Sequence, residues 1–371
     1  MKIYYYAPFW PNPYGHGGEK RSHQIACLLQ DLGIEFEKLE LLPPVVNLSR
    51  FARLWFLLSN LKYLFSLQLN IRSKYHLQII SQNLMLAKSQ LPKIEFGSVI
   101  IYEHSIMCNW FLPILLAKNG CKIVALPHNL ESLVPDQKSG LGAIVSPLGF
   151  WEEIAALRVS ECVFVISKEE QWLLNLFGLK SVYYPYLPSE EETKLLSKIA
   201  TQRQNRKRNH NYLIFGSVGN PPTRIGMLEL LKFLQKESSP LDQFHIVGFH
   251  SESLAHEFDF SSKFIFHGSV SVEKLHELFV LVDAAIIHQT PSTGALTKIP
   301  ELLTCHVPVV CNHFAARNYF NTKGVSVYYS LTDLCNLLSE NANFELQCDY
   351  VSDGNLKLVK DSLQEIVIGR V

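Results

Sequence analysis

Short apolar segments that favour β-strands alternate with helical patterns along the whole chain. In its first half these segments are Ile3 to Ala7, Ile34 to Leu41, Val99 to Tyr102, Lys122 to Leu126, Cys162 to Ile166 and Val182 to Tyr186. In its second half they are Tyr212 to Ser217, Phe244 to Val247, Phe264 to His267, Ala284 to His288, Val307 to Cys311 and Val325 to Tyr328. Such alternation is typical of βαβ units, whose strands form parallel sheets. The sequence therefore predicts an α/β fold with two Rossmann-like, doubly wound parallel-sheet domains.

A polar stretch from Pro188 to Asn211 has no strand pattern and separates the two sets of strands. A chain of 371 residues exceeds one ordinary core, and we place the domain boundary in this stretch. The predicted domains are residues 1–188 and 189–350. A closing segment, 351–371, follows, and its apolar residues recur at helical spacing from Asn355 to Ile368. The basic residues of the polar stretch favour a solvated loop over a binding arm.

The composition excludes several classes of protein. Hydrophobic residues make up 47% of the chain, which excludes disorder over most of its length. Lys plus Arg and Asp plus Glu both number 34, so no overall charge attracts nucleic acid, and no nucleic-acid partner is expected. The first residues, KIYYYAPFW, lack the pattern of a signal peptide, and we expect a cytoplasmic location.

The loop and helix after the predicted strand Ala284 to His288 form the first candidate binding site. A loop that turns into a helix presents free backbone N–H groups and the positive end of the helix dipole, which favour phosphate. The candidates here include Lys298, a further positive charge, and Glu301, which can accept from ribose hydroxyls. The remaining candidates in the segment are Thr293, Gly294 and Thr297. The alternative is that Glu301 only complements the dipole while Lys298 is solvated.

Two further candidate regions follow predicted strands of the first sheet. After Ile3 to Ala7 the chain reads HGGEKR, in which Gly17 and Gly18 let a substrate approach the backbone and Glu19 follows at a helix start. His128 directly follows Lys122 to Leu126 and can donate or accept a proton near neutral pH. Glu19 and His128 are the candidate catalytic residues. The alternatives are a tight glycine turn and a structural histidine.

The second domain opens with a strand, a glycine-containing loop and a helix, FGSVGNPPTRIG, from Phe215 to Gly226. Ser217 lies in the loop, and Arg224 near the helix start is suited to bidentate contact with a diphosphate. A surface arginine is the alternative. Because the carboxyl ends of parallel strands share one edge of a sheet, we expect the candidates of each domain to converge there.

With these features the chain resembles the GT-B-fold glycosyltransferases of the family-4 type, retaining enzymes that use sugar nucleotides. The resemblance covers essentially the whole chain. It is carried by a Gly-Gly-acid loop, a His-Asn pair, a serine-acid stretch and a G-x-x-x-K-x-x-E segment followed by an apolar strand. These are Gly17, Gly18 and Glu19; His128 and Asn129; Val165 to Gln171; and Gly294, Lys298 and Glu301 with Pro308 to Val310.

The resemblance implies two domains facing a cleft, with a last helix that crosses back to the N-terminal domain. It implies that Glu301 binds the ribose, that basic residues hold the diphosphate, and that His128 faces the transferred sugar. Three positions depart from the pattern. Thr293 stands where many relatives have a second glutamate, Ser217 where many have a basic residue, and His306 where a glycine is usual.

Residues 41–93 contain no Asp or Glu but have seven basic residues among many apolar and aromatic ones. This pattern suits contact with an anionic membrane surface, where lipid-linked acceptors are found. The protein would then lie peripherally at the inner face of the membrane. The alternative is a helical excursion whose apolar residues pack on the N-terminal domain.

These observations lead to one expected function and two rivals. The chain is expected to transfer a sugar from a nucleotide-sugar donor to a glycan or lipid-linked acceptor. No cofactor or metal is expected, because no DxD-like acid pair ends a strand and Lys298, Arg224 and helix dipoles can neutralise the diphosphate. The rivals are a sugar-nucleotide epimerase of GT-B-like fold and a non-catalytic module that binds sugar nucleotides or glycans.

Overall fold

The fold is described from a computed structural model of the chain. The structure describes residues 2–40, 49–66, 74–105, 109–134, 149–204, 206–339 and 355–368. By residue contacts the chain forms two compact units. The first unit comprises residues 1–12, 21–185 and 353–371, and the second comprises residues 13–20 and 186–352. Residues 13–20 therefore belong to the second unit, although the sequence analysis places them in the first domain.

The first unit contains a parallel sheet of six strands within the described residues. The strands are β1 (Ile3–Tyr6), β2 (Glu37–Lys38), β3 (Val99–His104), β4 (Lys122–Pro127), β5 (Cys162–Val165) and β6 (Ser181–Tyr183). They are arranged in the order β2, β1, β3, β4, β5, β6. Every residue of β3 is buried, as expected for a strand covered by helices on both faces.

The second unit contains its own parallel six-stranded sheet among the described residues. The strands are β7 (Asn211–Phe215), β8 (Gln243–Val247), β9 (Phe264–Gly268), β10 (Ala284–Ile287), β11 (Val309–Asn312) and β12 (Val325–Tyr328). Their order is β12, β11, β10, β7, β8, β9. In both sheets the strand order reverses beside the strand that comes first in the sequence, β1 in one sheet and β7 in the other. Ligands bind at this position in doubly wound folds.

Helices connect the strands in both units. The α-helices in chain order are α1 (Gly17–Asp31), α2 (Arg50–Leu58), α3 (Leu61–Ser66), α4 (Lys74–Gln90), α5 (Phe111–Lys118), α6 (Phe150–Leu157), α7 (Lys168–Leu176), α8 (Glu190–Arg203), α9 (Pro221–Glu237), α10 (Val272–Leu281), α11 (Lys298–Thr304), α12 (His313–Ala316), α13 (Leu331–Ser339) and α14 (Asn355–Ile368). None of those within the described ranges combines the length and the apolar character that a membrane crossing requires.

The predicted fold class is confirmed, since both units are parallel α/β sheets. Each predicted strand segment contains a strand, although the segment Ile34 to Leu41 contains only the two-residue β2. The prediction of a solvated loop between Pro188 and Asn211 is wrong. Helix α8 begins there with a capping box, in which the N–H of Ser189 donates to Glu192 at 2.8 Å and the N–H of Glu192 donates to the Ser189 hydroxyl at 3.3 Å.

The basic residues of that stretch anchor it to the second unit. The side chain of Arg203 is buried and donates to the carbonyls of Val282 at 2.8 Å and His306 at 3.0 Å. Arg206 forms an ion pair with Asp283 at 2.6 Å. The arginines therefore satisfy carbonyls and a carboxylate of the fold, where the sequence pattern suggested contact with solvent.

Helix α14 completes the core of the first unit. Its residues Val359, Leu363 and Ile366 lie in one buried cluster with β1 and with residues of α1 such as Ile25 and Leu29. The last described helix thus packs with the first strand and the first helix of the chain.

Candidate functional site

The carbonyls of the loop between β10 and α11 accept hydrogen bonds from Arg317. Gly294 has a φ of 77°, a conformation that glycine adopts without strain. The guanidinium of Arg317 donates to the Gly294 carbonyl at 2.6 and 3.0 Å and to the Thr293 carbonyl at 2.7 Å. Asn318 adds a second donor side chain, 3.1 Å from the Gly294 carbonyl. These two carbonyls of the loop are therefore satisfied by side chains of the same unit.

Lys298, the first residue of α11, extends towards the carboxyl end of β7. Its ammonium donates to the carbonyl of Phe215, and no carboxylate in the described part of the chain pairs with it. Removal from water lowers the pKa of Lys298 from its ordinary 10.5 to about 8. A Cβ at Gly216 would lie 3.2 Å from this ammonium and 2.5 Å from Thr223, so the lysine reaches its place because residue 216 is glycine. The alternative of a solvated Lys298 does not hold.

Beside Lys298, the strand ends of β7 and β10 line a small cavity. Its wall includes Ile214, Phe215, Thr223, His288, Gln289 and Lys298. The side-chain oxygen of Gln289 is buried and has no hydrogen-bond partner among the described residues. An acceptor without a partner and a partly buried cation both gain when a polar ligand supplies the missing contact.

Glu301 lies one turn into α11 and already has two donors. The ammonium of Lys20 is 2.7 Å from one carboxylate oxygen and 2.6 Å from the other. The hydroxyl of Tyr186 donates to the first of these oxygens at 3.0 Å. The side chain of Lys20 is 15% exposed and that of Glu301 is 6% exposed, so the ion pair is largely shielded from water. Glu301 therefore does more than complement the helix dipole.

The start of α1 approaches the start of α11. A Cβ at Gly17 would lie 3.2 Å from the hydroxyl of Thr297, which is closer than most such contacts. Gly17 thus permits the two helix starts to come together. The N–H of Gly18 donates to the His16 ring at 3.1 Å, and the Glu19 carboxylate accepts from the His16 N–H at 2.9 Å. The structure places Glu19 in a local turn, and these contacts give it a structural role.

In the first unit, His128 forms a buried pair with Glu103. Its Nε2 lies 2.7 Å from a Glu103 oxygen, which also accepts from the Ser22 hydroxyl at 2.5 Å. Tyr5 donates to the other oxygen of Glu103. If Nε2 carries the proton shared with Glu103, Nδ1 is an acceptor, and Nδ1 has no hydrogen-bond partner among the described residues. Nδ1 is buried, and an acid that orients a histidine in this way is typical of proton-transfer sites.

The neighbouring histidine differs from His128. Burial lowers the pKa of His104 to about 3, with a further contribution from His128. Its ring packs against Tyr102 and Trp110. His104 is therefore neutral at physiological pH and belongs to the core.

Two candidates of the second unit lie apart from the polar contacts described above. Arg224 forms an ion pair with Glu257, and the structure shows no hydrogen bond or ion pair from it to another candidate among the described residues. Ser217 is exposed in the loop after β7, and its carbonyl accepts from the Asn220 N–H at 3.3 Å. The diphosphate-binding role of Arg224 remains a prediction.

Four residues at these sites are absent from the sequence candidates, namely Lys20, Glu103, Tyr186 and Arg317. Glu103 had a usable signal, because an acid near the end of an otherwise apolar strand needs a partner. The other three act through contacts between residues far apart in sequence, 115 positions in the case of Tyr186 and Glu301.

Within the described residues no group of three or more His, Cys, Asp or Glu side chains could hold a metal ion.

Comparison with known proteins supports the fold and leaves the family open. No protein-family model matches the chain, and no curated protein is similar to it in sequence. Solved structures do match over nearly the full length. A sucrose-phosphate synthase from Thermosynechococcus elongatus aligns with a TM-score of 0.63 and 14% identity, covering 99% of this chain and 97% of the other.

Two further matches concern trehalose-phosphate synthesis. An α,α-trehalose-phosphate synthase (UDP-forming) from Burkholderia vietnamiensis aligns with a TM-score of 0.60 and 10% identity, covering 100% of this chain and 98% of the other. An E. coli trehalose-6-phosphate structure bound with UDP-2-fluoro glucose aligns with a TM-score of 0.59 and 11% identity, covering 100% of this chain and 96% of the other. At these identities the likeness shows the fold, which is GT-B-like.

Proposed function

We propose that the protein is a retaining, metal-independent glycosyltransferase of the family-4 type, which uses a nucleotide-sugar donor. The observation that carries the proposal is the arrangement at the start of α11. There, Lys298 is partly buried and has no carboxylate partner among the described residues, and Glu301 lies one turn further along the helix. A diphosphate would supply the missing counter-charge for Lys298, and a ribose diol would supply donors for Glu301. The fold match to a structure bound with UDP-2-fluoro glucose supports the same ligand class.

In this proposal the residues of the second unit hold the donor. Arg317 donates to two carbonyls of the Gly294 loop, and such contacts lower the cost of ordering the loop around a nucleotide. Lys298 stabilises the negative charge that develops on the leaving diphosphate, and its partial burial strengthens this effect. Gln289 offers an unpartnered oxygen, as judged from the described residues, to a hydroxyl or an amine of the ligand.

His128 is the proposed participant of the first unit in the chemical step. Glu103 fixes its orientation through the 2.7 Å contact and stabilises the charged imidazolium when a proton is taken up. In this proposal the proton goes to Nδ1, which is buried and has no hydrogen-bond partner among the described residues. No protein nucleophile is proposed, since by resemblance to the family-4 enzymes the departing phosphate itself helps to deprotonate the acceptor.

We propose further that the acceptor is carried by an anionic membrane, which the first unit contacts through α2 and α3. Four apolar residues recur at i, i+3, i+4 and i+7 on α2 and are all exposed, with Trp55 74% and Phe51 87% exposed. The basic residues Arg50 and Lys62 lie on the same two helices, and residues 41–93 contain no acid. Residues 41–48 and 67–73 of this segment, including Arg72, lie outside the described residues. An exposed apolar row with adjacent cations suits an interface between lipid headgroups and acyl chains.

A thermal-shift screen against UDP-, GDP-, ADP- and dTDP-sugars tests the proposed function. A donor at about 100 times its dissociation constant stabilises the native state by about 2.7 kcal/mol, which raises the melting temperature by some degrees. The donor that binds is then incubated with and without candidate acceptors, and the products are analysed. Release of nucleoside diphosphate only with an acceptor supports the transferase. A new sugar nucleotide formed without acceptor indicates the epimerase, and binding without turnover indicates the non-catalytic module, which Thr293 and Ser217 favour.

A further inference from the structure

The carboxylate of Glu301 accepts from two side chains of the chain itself. Lys20 lies within 2.7 Å of both its oxygens, and Tyr186 donates to one of them at 3.0 Å. A carboxylate offers about four acceptor positions, so the three contacts leave little capacity for the two hydroxyls of a ribose. A sugar that binds Glu301 must therefore displace or share the Lys20 ammonium.

A displaced Lys20 needs another anion, because its side chain is only 15% exposed. A buried ammonium without a partner is strongly unfavourable. The start of α1 lies close to the start of α11, since a Cβ at Gly17 would be 3.2 Å from the Thr297 hydroxyl. Lys20 follows Gly17 by one helical turn, and Lys298 directly follows Thr297. The two lysines are therefore anchored at neighbouring helix starts. Its flexible stem of four carbons lets the ammonium move by several ångströms without moving the helix.

We propose that Lys20 is a second diphosphate-binding cation that Glu301 holds in place until the nucleotide arrives. The ribose hydroxyls replace Lys20 on Glu301, and the ammonium transfers to the diphosphate of the same ligand. Each group that loses a partner gains another, since Glu301 exchanges an ammonium for neutral hydroxyl donors and Lys20 exchanges a carboxylate for a phosphate. This assignment rests on the proposed use of a nucleotide donor.

The alternative is that the Lys20–Glu301 ion pair only stabilises the fold, and it predicts a different result. If the ion pair only fastens residues 13–20 to the second unit, loss of Lys20 lowers the melting temperature and affects nucleoside and nucleotide binding equally. If Lys20 moves to the diphosphate, its loss acts on the phosphate part of the ligand alone. The ratio of two affinities therefore separates the two readings.

The experiment is calorimetric titration of the full chain with three ligand pairs, UDP and uridine, GDP and guanosine, and ADP and adenosine. For the pair that binds, we compare the dissociation constant of the nucleoside with that of the diphosphate. In Lys20→Met this ratio is expected to fall about tenfold or more, since a charge-assisted contact to the phosphates is lost. Nucleoside affinity itself is expected to stay equal or to rise, because the competitor for Glu301 is gone.

Two matched variants keep the test decisive. Lys20→Arg retains the charge and is expected to keep most of the ratio. Tyr186→Phe removes a neutral donor from the same carboxylate, so it shifts both affinities together and leaves the ratio unchanged. Melting curves without ligand show that each variant is folded, and Lys20→Gln replaces Lys20→Met if the latter does not fold.

The outcomes are distinguishable. A ratio in Lys20→Met that equals the wild-type ratio, with binding retained, overturns the assignment of Lys20 and leaves the proposed function standing. Failure of the wild type to bind any of the three pairs overturns the proposed function and the Lys20 assignment with it.

Discussion

Replacing Lys298 with methionine is expected to stabilise the protein while weakening donor binding. Burial lowers the pKa of Lys298 from 10.5 to about 8. At about 1.4 kcal/mol per pKa unit, keeping this lysine charged at pH 7 costs the native state about 3 kcal/mol. Methionine fills nearly the same volume without a charge, but the hydrogen bond to the Phe215 carbonyl is lost. The free energy of unfolding should therefore rise by about 1 to 2 kcal/mol.

The pH dependence gives this prediction a second, independent check. Below pH 8 Lys298 is protonated in both the native and the unfolded states, so the whole cost is present. Between about pH 8 and 10.5 the unfolded state binds more protons than the native state, and the stability contributed at this site rises with pH. The advantage of Lys298→Met should thus be largest at pH 7 and should shrink by about 1 kcal/mol at pH 9.

Urea unfolding at pH 7 and pH 9, followed by circular dichroism, measures both effects. All five tryptophans lie in the first unit, so tryptophan fluorescence follows that unit separately. Lys274→Met is the matched control, because Lys274 is a half-exposed lysine of the same unit and its loss should change stability by less than about 0.5 kcal/mol. The reasoning is refuted if Lys298→Met is less stable than the wild type at pH 7, or if its advantage does not change with pH.

The other predictions concern the ligand, the chemistry and the membrane. Glu301→Gln should weaken nucleotide binding about 10- to 150-fold in calorimetry, since a charge-assisted bond contributes about 1.5 to 3 kcal/mol, and an unchanged affinity would rule out a ribose contact. His128→Ala should lower turnover about 10²- to 10⁴-fold without unfolding, and a normal rate from the folded fraction would indicate a structural histidine. The protein should float with anionic liposomes at low salt but not with neutral ones, each basic residue contributing about 1 kcal/mol, and wild type that stays in solution would contradict the membrane contact. The variant in which Arg50, Arg53 and Lys62 are changed together to Glu should stay in solution.

The architecture could be predicted because it depends on local patterns. Apart from β2, the strands of both sheets are mainly apolar runs between turn signals, and α14 begins and ends where the helical spacing predicts. The strand β2 is short because it lies at the edge of its sheet, where only Glu37 and Lys38 pair with β1. Helix α8 was missed because its sequence is polar, and its signal was the capping box of Ser189 and Glu192.

The candidate sites could be predicted only in part, for a different physical reason. Lys298 and Glu301 lie in a local loop–helix pattern that the sequence displays directly. Their environments depend on residues distant in the chain, since Lys20 precedes Glu301 by 281 positions and Glu103 precedes His128 by 25. No local pattern predicts which acid forms an ion pair with a given lysine, because the pairing depends on how whole helices and strands pack.

The participation of α14 in the core of the first unit also has a consequence for biosynthesis. A ribosome completes residues 1–185 and then the entire second unit before it makes the helix that covers Ile25 and Leu29. Domains generally fold in the order of their synthesis, but here the earlier one waits with apolar surface uncovered. The second unit, whose segment 186–339 is nearly contiguous, can form its own sheet in the meantime. Nascent chains that stop before α14 are therefore the species most in need of a chaperone.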